Sequence, residues 1–169
     1  CFGYALYLDR PGRFDPAKAR RNGVPLSLWS RLQAGEALNG FRPEDVLGEA
    51  RRGLSLLYST DTRPVADMVR LGKECDLMVL EGMFGDPEKD ERARVTHHMT
   101  MREAAEIARD AQPARLWLTH FSPATPHPEE YLEEMQTLFP RLQMGECGLK
   151  ETLNFVQAAQ QLKTLSSWE

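Results

Sequence analysis

Leu54-Ser55-Leu56-Leu57-Tyr58-Ser59-Thr60-Asp61-Thr62-Arg63-Pro64 and Ala114-Arg115-Leu116-Trp117-Leu118-Thr119-His120-Phe121-Ser122-Pro123 share one design. A short apolar run ends in a polar group able to bind a metal, and a proline follows. Short apolar runs that alternate with helical patterns read as buried strands of an α/β sheet, whose carboxyl ends carry the ligand-binding loops. Asp61 and His120 are therefore expected to project from the same edge of one sheet. A carboxylate beside an imidazole suits zinc, manganese or a similar ion.

Working outward, Asp76-Leu77-Met78-Val79-Leu80-Glu81 reads as a further strand, which puts a third polar group, Glu81, on that edge. Pro64 stands near the start of a helix with Val65, Met68 and Val69 on one side. Residues 82–98 read as a charged loop. Thr100 and Glu103 fit a capping box for a helix whose Met101, Ala104, Ala105 and Ala108 share a face. Pro128 opens another helix, with Tyr131, Leu132, Met135, Leu138 and Phe139 as its apolar stripe and Pro140 at its end. A weak strand is expected near Leu149–Leu153 and a helix near Phe155–Leu165. This alternation argues for one α/β domain with right-handed crossovers over residues 1–169.

Upstream, residues 1–8 read as a strand. The segment 9–50 is broken by Pro and Gly, with short helices from Pro16 to Arg21 and from Pro25 to Gly35, and it reads as a long insertion. The chain opens on Cys1-Phe2-Gly3-Tyr4-Ala5-Leu6 inside a strand-like run and without an initiator Met, so a piece of a longer protein is expected.

The composition, 41% hydrophobic and 27% charged, is that of a soluble globular chain, and no apolar run approaches the roughly 18 residues of a membrane span. The expected compartment is the cytoplasm, with no membrane partner. Cys1, Cys75 and Cys147 form no CxxC pair and are read as reduced. The net charge of −4 argues against a uniformly basic nucleic-acid binder, yet from Asp9 to Arg31 six bases (Arg10, Arg13, Lys18, Arg20, Arg21, Arg31) face two acids. Such a segment is either a solvated surface or an arm that contacts phosphates.

There is no GxxxxGK[ST], GxGxxG, GxSxG or kinase signature. A nucleophilic Ser122 would need a base and oxyanion donors that nothing marks. His97 and His127 read as surface residues. A lone histidine at a strand end is more often structural than a ligand, and Glu81 could be a solvated loop acid. Alternatively, Glu81 could orient His98, as carboxylates orient imidazoles that deliver protons.

The stretches Phe2-Gly3-Tyr4, Asp9-Arg10-Pro11-Gly12-Arg13-Phe14, Tyr58 to Pro64, Asp76 to Gly82, His98 to Ala108 and Leu118 to Pro123 together resemble the carboxyl-terminal half of the ribonuclease Z (tRNase Z) family of the metallo-β-lactamase superfamily. The resemblance implies half of an αββα sandwich with two zinc ions in the complete protein. It places Asp61 as the bridging metal ligand and His120 as a ligand of the second metal. It also places His98 as the proton donor near the scissile phosphate and Glu81 as its support. Arg10, Arg13, Lys18, Arg20, Arg21 and Arg31, in the region of the family's tRNA-gripping arm, become candidate substrate-binding residues together with Ser122.

The implied activity is zinc-dependent cleavage of the 3′ trailer of precursor tRNA by a homodimer. The family's HxHxDH motif is absent, so an N-terminal half is expected to supply the other ligands, and this chain alone is expected to be inactive. Thr60 stands where the family has Gly, Leu80 where it has His, Leu26-Ser27 where its arm has Gly-Pro, and Pro123-Ala124-Thr125 where an Arg often follows. A related hydrolase of a small phosphodiester or ester, or a non-catalytic structural or tRNA-binding module, are the alternatives.

Overall fold

The computed structural model describes residues 2–155. In chain order the elements are β1 (Gly3–Arg10), α1 (Pro16–Arg21), α2 (Trp29–Gln33), β2 (Arg51–Ser59), α3 (Ala66–Gly72), β3 (Leu77–Glu81), α4 (Asp90–Val95), α5 (Met101–Ala111), β4 (Leu116–Thr119), α6 (Leu132–Leu138) and β5 (Leu142–Met144), with short 3-10 turns between several of them. The strands form one sheet in the order β1-β2-β3-β4-β5, and β2 through β5 pair in parallel. The chain divides into two compact units, one of residues up to Tyr7 and from Leu54 onward, the other of Leu8–Gly53.

In the first unit the register explains the alternation of burial. Leu57, Met78, Leu116 and Leu142 stand in one cross-strand row, and Leu80, Leu118 and Met144 in the next. These rows belong to the apolar core that α3, α5 and α6 complete with Met68, Met101, Ala104, Ala105, Ala108 and Met135. The intervening row turns the other way: Val79 lies beside Trp117, Trp117 beside Gln143, and the Trp117 indole N–H donates to Gln143 Oε1 at 2.9 Å. Because side chains alternate with period two, Glu81 falls on this second face, level with Thr119. The central strand β3 is buried along its whole length. At the sheet edge, Phe2, Tyr4 and Leu6 of the β1 segment are each more than half exposed.

Helix α5 is the best-specified element. Thr100 Oγ1 accepts from the Glu103 N–H at 3.2 Å, and Glu103 Oε2 accepts from the Thr100 N–H at 2.9 Å. The small residues at 104, 105, 108 and 111 let the helix lie close on β3 and β4, and Gln112 ends it in the left-handed region at φ 54°.

The charged segment 82–98 contains α4, so it is more ordered than its composition suggests. The strand expected near Leu149–Leu153 is irregular; β5 lies some residues earlier, beside β4. The helix expected near Phe155–Leu165 falls outside the described residues apart from Phe155. Among the described residues no helix is long and apolar enough to cross a membrane.

The second unit packs Ala19, Val24, Leu32, Val46 and Leu47 against Phe14, Leu28, Trp29, Leu38 and Phe41. Asp15 caps α1 by accepting from the Lys18 N–H at 2.9 Å, and Gly23, at φ 67°, lets the chain turn off behind it.

Replacing Thr100 with Ala removes the cap of α5, and we expect a loss of about 1 kcal/mol, read as a lower urea midpoint at unchanged m-value.

Candidate functional site

The site lies in the first unit at the carboxyl ends of β2, β3 and β4. Backbone bonds knit the loops there: Gly82 N–H donates to Thr119 O at 2.9 Å, Met83 N–H to Met99 O at 3.0 Å, Met101 N–H to Phe84 O at 2.9 Å and Ser122 N–H to Met83 O at 2.9 Å. The turn after β3 is thus stitched to the loop carrying His98 on one side and the loop carrying His120 on the other.

Glu81 is fully buried at the end of β3. A carboxylate there requires partners for its oxygens, and both have one. Oε1 accepts from the Thr62 N–H at 2.6 Å, and Oε2 lies 2.8 Å from His98 Nδ1. A carboxylate only accepts, so the proton on this bond belongs to Nδ1, and Nε2 of His98 is left for other work. The His98 ring, largely buried, lies beside that of His120, centroids 5.4 Å apart.

His120 Nε2 stands 3.7 Å from Asp61 Oδ1, and both side chains are open to solvent. This is too long for a hydrogen bond. Two donors bound to one zinc at about 2.0–2.2 Å lie within about 4 Å of each other, so the pair fits a shared ion. The Asp61 carboxyl is held below the usual carboxylate range, first by its own backbone N–H, then by the imidazoles of His120 and His98 and the Thr60 hydroxyl, while burial acts the other way. It is therefore ionised and ready to ligate at neutral pH. Glu81, His98 and His120 also place donor atoms within 4.8 Å of one another, but both Glu81 oxygens are engaged within a buried setting. Glu81 fits an orienting role better than a ligand's.

Ser122 is buried, and its Oγ accepts from the Ala124 N–H at 3.1 Å, so its hydroxyl shapes the loop after His120. In the second unit the six bases divide. Lys18 Nζ donates to Leu47 O at 2.8 Å, Arg20 lies 5.7 Å from the Trp29 ring centroid, and Arg31 pairs with Glu36. Arg13 and Arg21 are exposed, and Arg10 is partly buried. Arg51, which donates to Pro11 O at 2.9 Å, is a basic neighbour the sequence pattern did not single out. Burial first, and then the charges of Arg10 and Arg13, lower its guanidinium pKa. Thr62 and Arg63 likewise carry no candidate role in the sequence pattern; Thr62 contributes a backbone N–H, which no side-chain motif reveals.

The sequence profile described as beta-lactamase superfamily domain matches residues 13–121. The chain belongs to that superfamily. It is 43% identical over 159 residues to a ribonuclease Z of Lachnoclostridium phytofermentans, a match covering 92% of this chain and 52% of that protein. Against a ribonuclease Z of Clostridium kluyveri the identity is 41% with the same coverage. The chain spans about half the length of the curated relatives it matches. The metallo-beta-lactamase fold protein YhfI from Bacillus subtilis superposes with a TM-score of 0.50 at 23% identity, over 57% of this chain and 39% of that one. The expected fold class and the expected likeness to ribonuclease Z are both met within this superfamily.

Replacing Glu81 with Ala would strand the Thr62 N–H and His98 Nδ1 in a buried setting, costing about 1–3 kcal/mol in urea denaturation. Glu81→Gln, which keeps one acceptor, should cost less.

Proposed function

We propose that this chain is the part of a ribonuclease Z that carries the proton donor and two of the metal ligands, in a protein that removes the 3′ trailer from precursor tRNA. The observation that carries the reading is the buried Glu81 carboxylate on His98 Nδ1, set beside the Asp61–His120 pair. Identities of 41–43% to ribonuclease Z support the same reading. Asp61 and His120 would hold the metal, zinc by their chemistry. When bound, zinc supplies Lewis-acid neutralisation of charge on a phosphate. The remaining ligands would come from the half of the relatives' length that this chain does not span. The exposed apolar side chains of Phe2, Tyr4 and Leu6 suit a surface that further chain covers. A homodimer in the cytoplasm belongs to the same proposal.

In this reading His98 does the proton transfer. With Nδ1 fixed on Glu81, a protonated ring presents Nε2–H, which passes to the sugar oxygen leaving the cleaved phosphodiester. The buried carboxylate stabilises the imidazolium until that moment and holds the ring in one orientation. Arg10, Arg13, Arg21 and Arg51 would meet the RNA backbone by charge, which gives affinity without sequence preference. Ser122 would act through the shape of the loop beside His120.

In the complete protein, His98→Ala should lower kcat on precursor tRNA by roughly 10²–10⁴-fold while metal content, read by atomic absorption, stays at the wild-type level. Loss of metal would make His98 a ligand instead. Asp61→Ala should lose metal and activity together. Replacing Arg13 and Arg21 with Ala should reduce the slope of log affinity against log salt by roughly one unit per residue. An unchanged slope would remove the basic unit from RNA binding and favour a small phosphodiester as substrate.

A further inference from the structure

Arg63 sits immediately after Thr62 in the loop following β2, and its side chain is about three-quarters buried. Its Nη1 donates to the carbonyl oxygen of His98 at 2.5 Å and to Glu103 Oε2 at 2.8 Å, while Nη2 pairs with Glu103 Oε1. Glu103 is itself fixed, since its carboxylate also closes the capping box of α5 on Thr100. The guanidinium therefore ties the backbone of His98 to a rigid helix end. One residue earlier, the Thr62 N–H holds the Glu81 oxygen that His98 does not use. Two consecutive residues thus grip both members of the Glu81–His98 pair, one by its carboxylate and the other by its main chain.

The local geometry around His98 explains why such a grip matters. The preceding residue, His97, has φ 61°, in the left-handed region, and the His98 N–H is anchored to Ala93 O at the end of α4, 2.8 Å away. That N–H bond holds one side of the residue. The carbonyl side is held by Arg63. A planar guanidinium fork serves a carbonyl and both oxygens of a carboxylate in one fixed arrangement, which the compact, freely rotating ammonium of a lysine does not impose.

We propose that Arg63 is a positioning residue for His98, fixing its backbone so that Nδ1 stays on Glu81 and Nε2 faces the reacting phosphate. The inference rests on the reading of His98 as proton donor, and its test separates the two. In the complete protein, Arg63→Lys should lower kcat on precursor tRNA by about 10- to 100-fold, the scale of a misplacement of about 1 Å, with KM little changed. In a His98→Ala background the same substitution should cost nothing further, because Arg63 acts through the missing ring. Glu103→Gln keeps the capping box yet weakens the Arg63 anchor, so it should give a smaller loss in the same direction, and it serves if Arg63→Lys does not fold.

An independent arm needs no activity. Proton NMR of the complete protein should show a downfield, slowly exchanging His98 Nδ1–H, identified by its loss in His98→Gln. It should broaden or vanish in Arg63→Lys and persist in Arg70→Lys, a change at an exposed pair with Asp67. Additive losses in the double variant, or an Nδ1–H resonance indifferent to Arg63, would overturn the proposal. A wild-type protein that cleaves no precursor tRNA, but whose Nδ1–H depends on Arg63, would overturn the functional reading alone.

Discussion

A carboxylate with no exposure to water has to be answered by the chain around it, and Glu81 is that group here. Left unpaired at the end of β3, it would cost more than a small domain can readily lose. Its two oxygens are answered by a backbone N–H from the loop after β2 and by the imidazole from the loop before α5. Neither partner lies near Glu81 in sequence. The need to satisfy one acid therefore fixes two loops relative to the sheet, and those loops carry Asp61 and His98. The third loop, with His120, is attached by Gly82 and Ser122 through main-chain bonds on either side of Met83. The site is the consequence of burying one charge in a well-paired way.

Much of this was legible wherever the cause is local. Strands β2, β3 and β4 are apolar runs ended by polar residues, and α5 carries its capping box and its alanine stripe in plain sequence. Asp61, Glu81 and His120 were recognisable because a strand end fixes where a side chain can go. Parallel register made their convergence predictable without knowing a single distance. What failed to show was tertiary in origin. β5 is three residues long, and only pairing with β4 makes it a strand. The segment Leu149–Leu153 has no such neighbour among the described residues and is irregular. Helix α4, Asp-Glu-Arg-Ala-Arg-Val, has charge almost all round and buries Ala93 alone, so periodicity could not mark it.

The basic segment shows the same limit in another form. A count of charges cannot say which are already committed. Lys18, Arg20 and Arg31 each make a contact within their own unit, while Arg51, twenty residues beyond the run, joins Arg10 and Arg13 electrostatically. The excess of positive charge is real, but its effective members differ from those the run suggests.

Backbone conformation supplies the last constraint. His120 has φ 58° and His97 has φ 61°, values that a side chain with a Cβ adopts at a cost of order 1–2 kcal/mol. Glycine would relieve that cost at either position, yet at 120 it would delete the imidazole that faces Asp61 at 3.7 Å. A turn of this kind ends β4 abruptly and keeps His120 next to the strand end rather than farther along a loop, so the ring stays within reach of both Asp61 and His98. At 97 the same kink lets the chain leave α4 and bring the next residue onto Glu81. These two strained residues thus lie at or next to a histidine of the site, and beside His97 the bonds of His98 to Glu81, Ala93 and Arg63 hold the backbone in place. Strain of this size persists only where surrounding contacts over-determine the geometry, and here they are the contacts that set the Glu81–His98 pair.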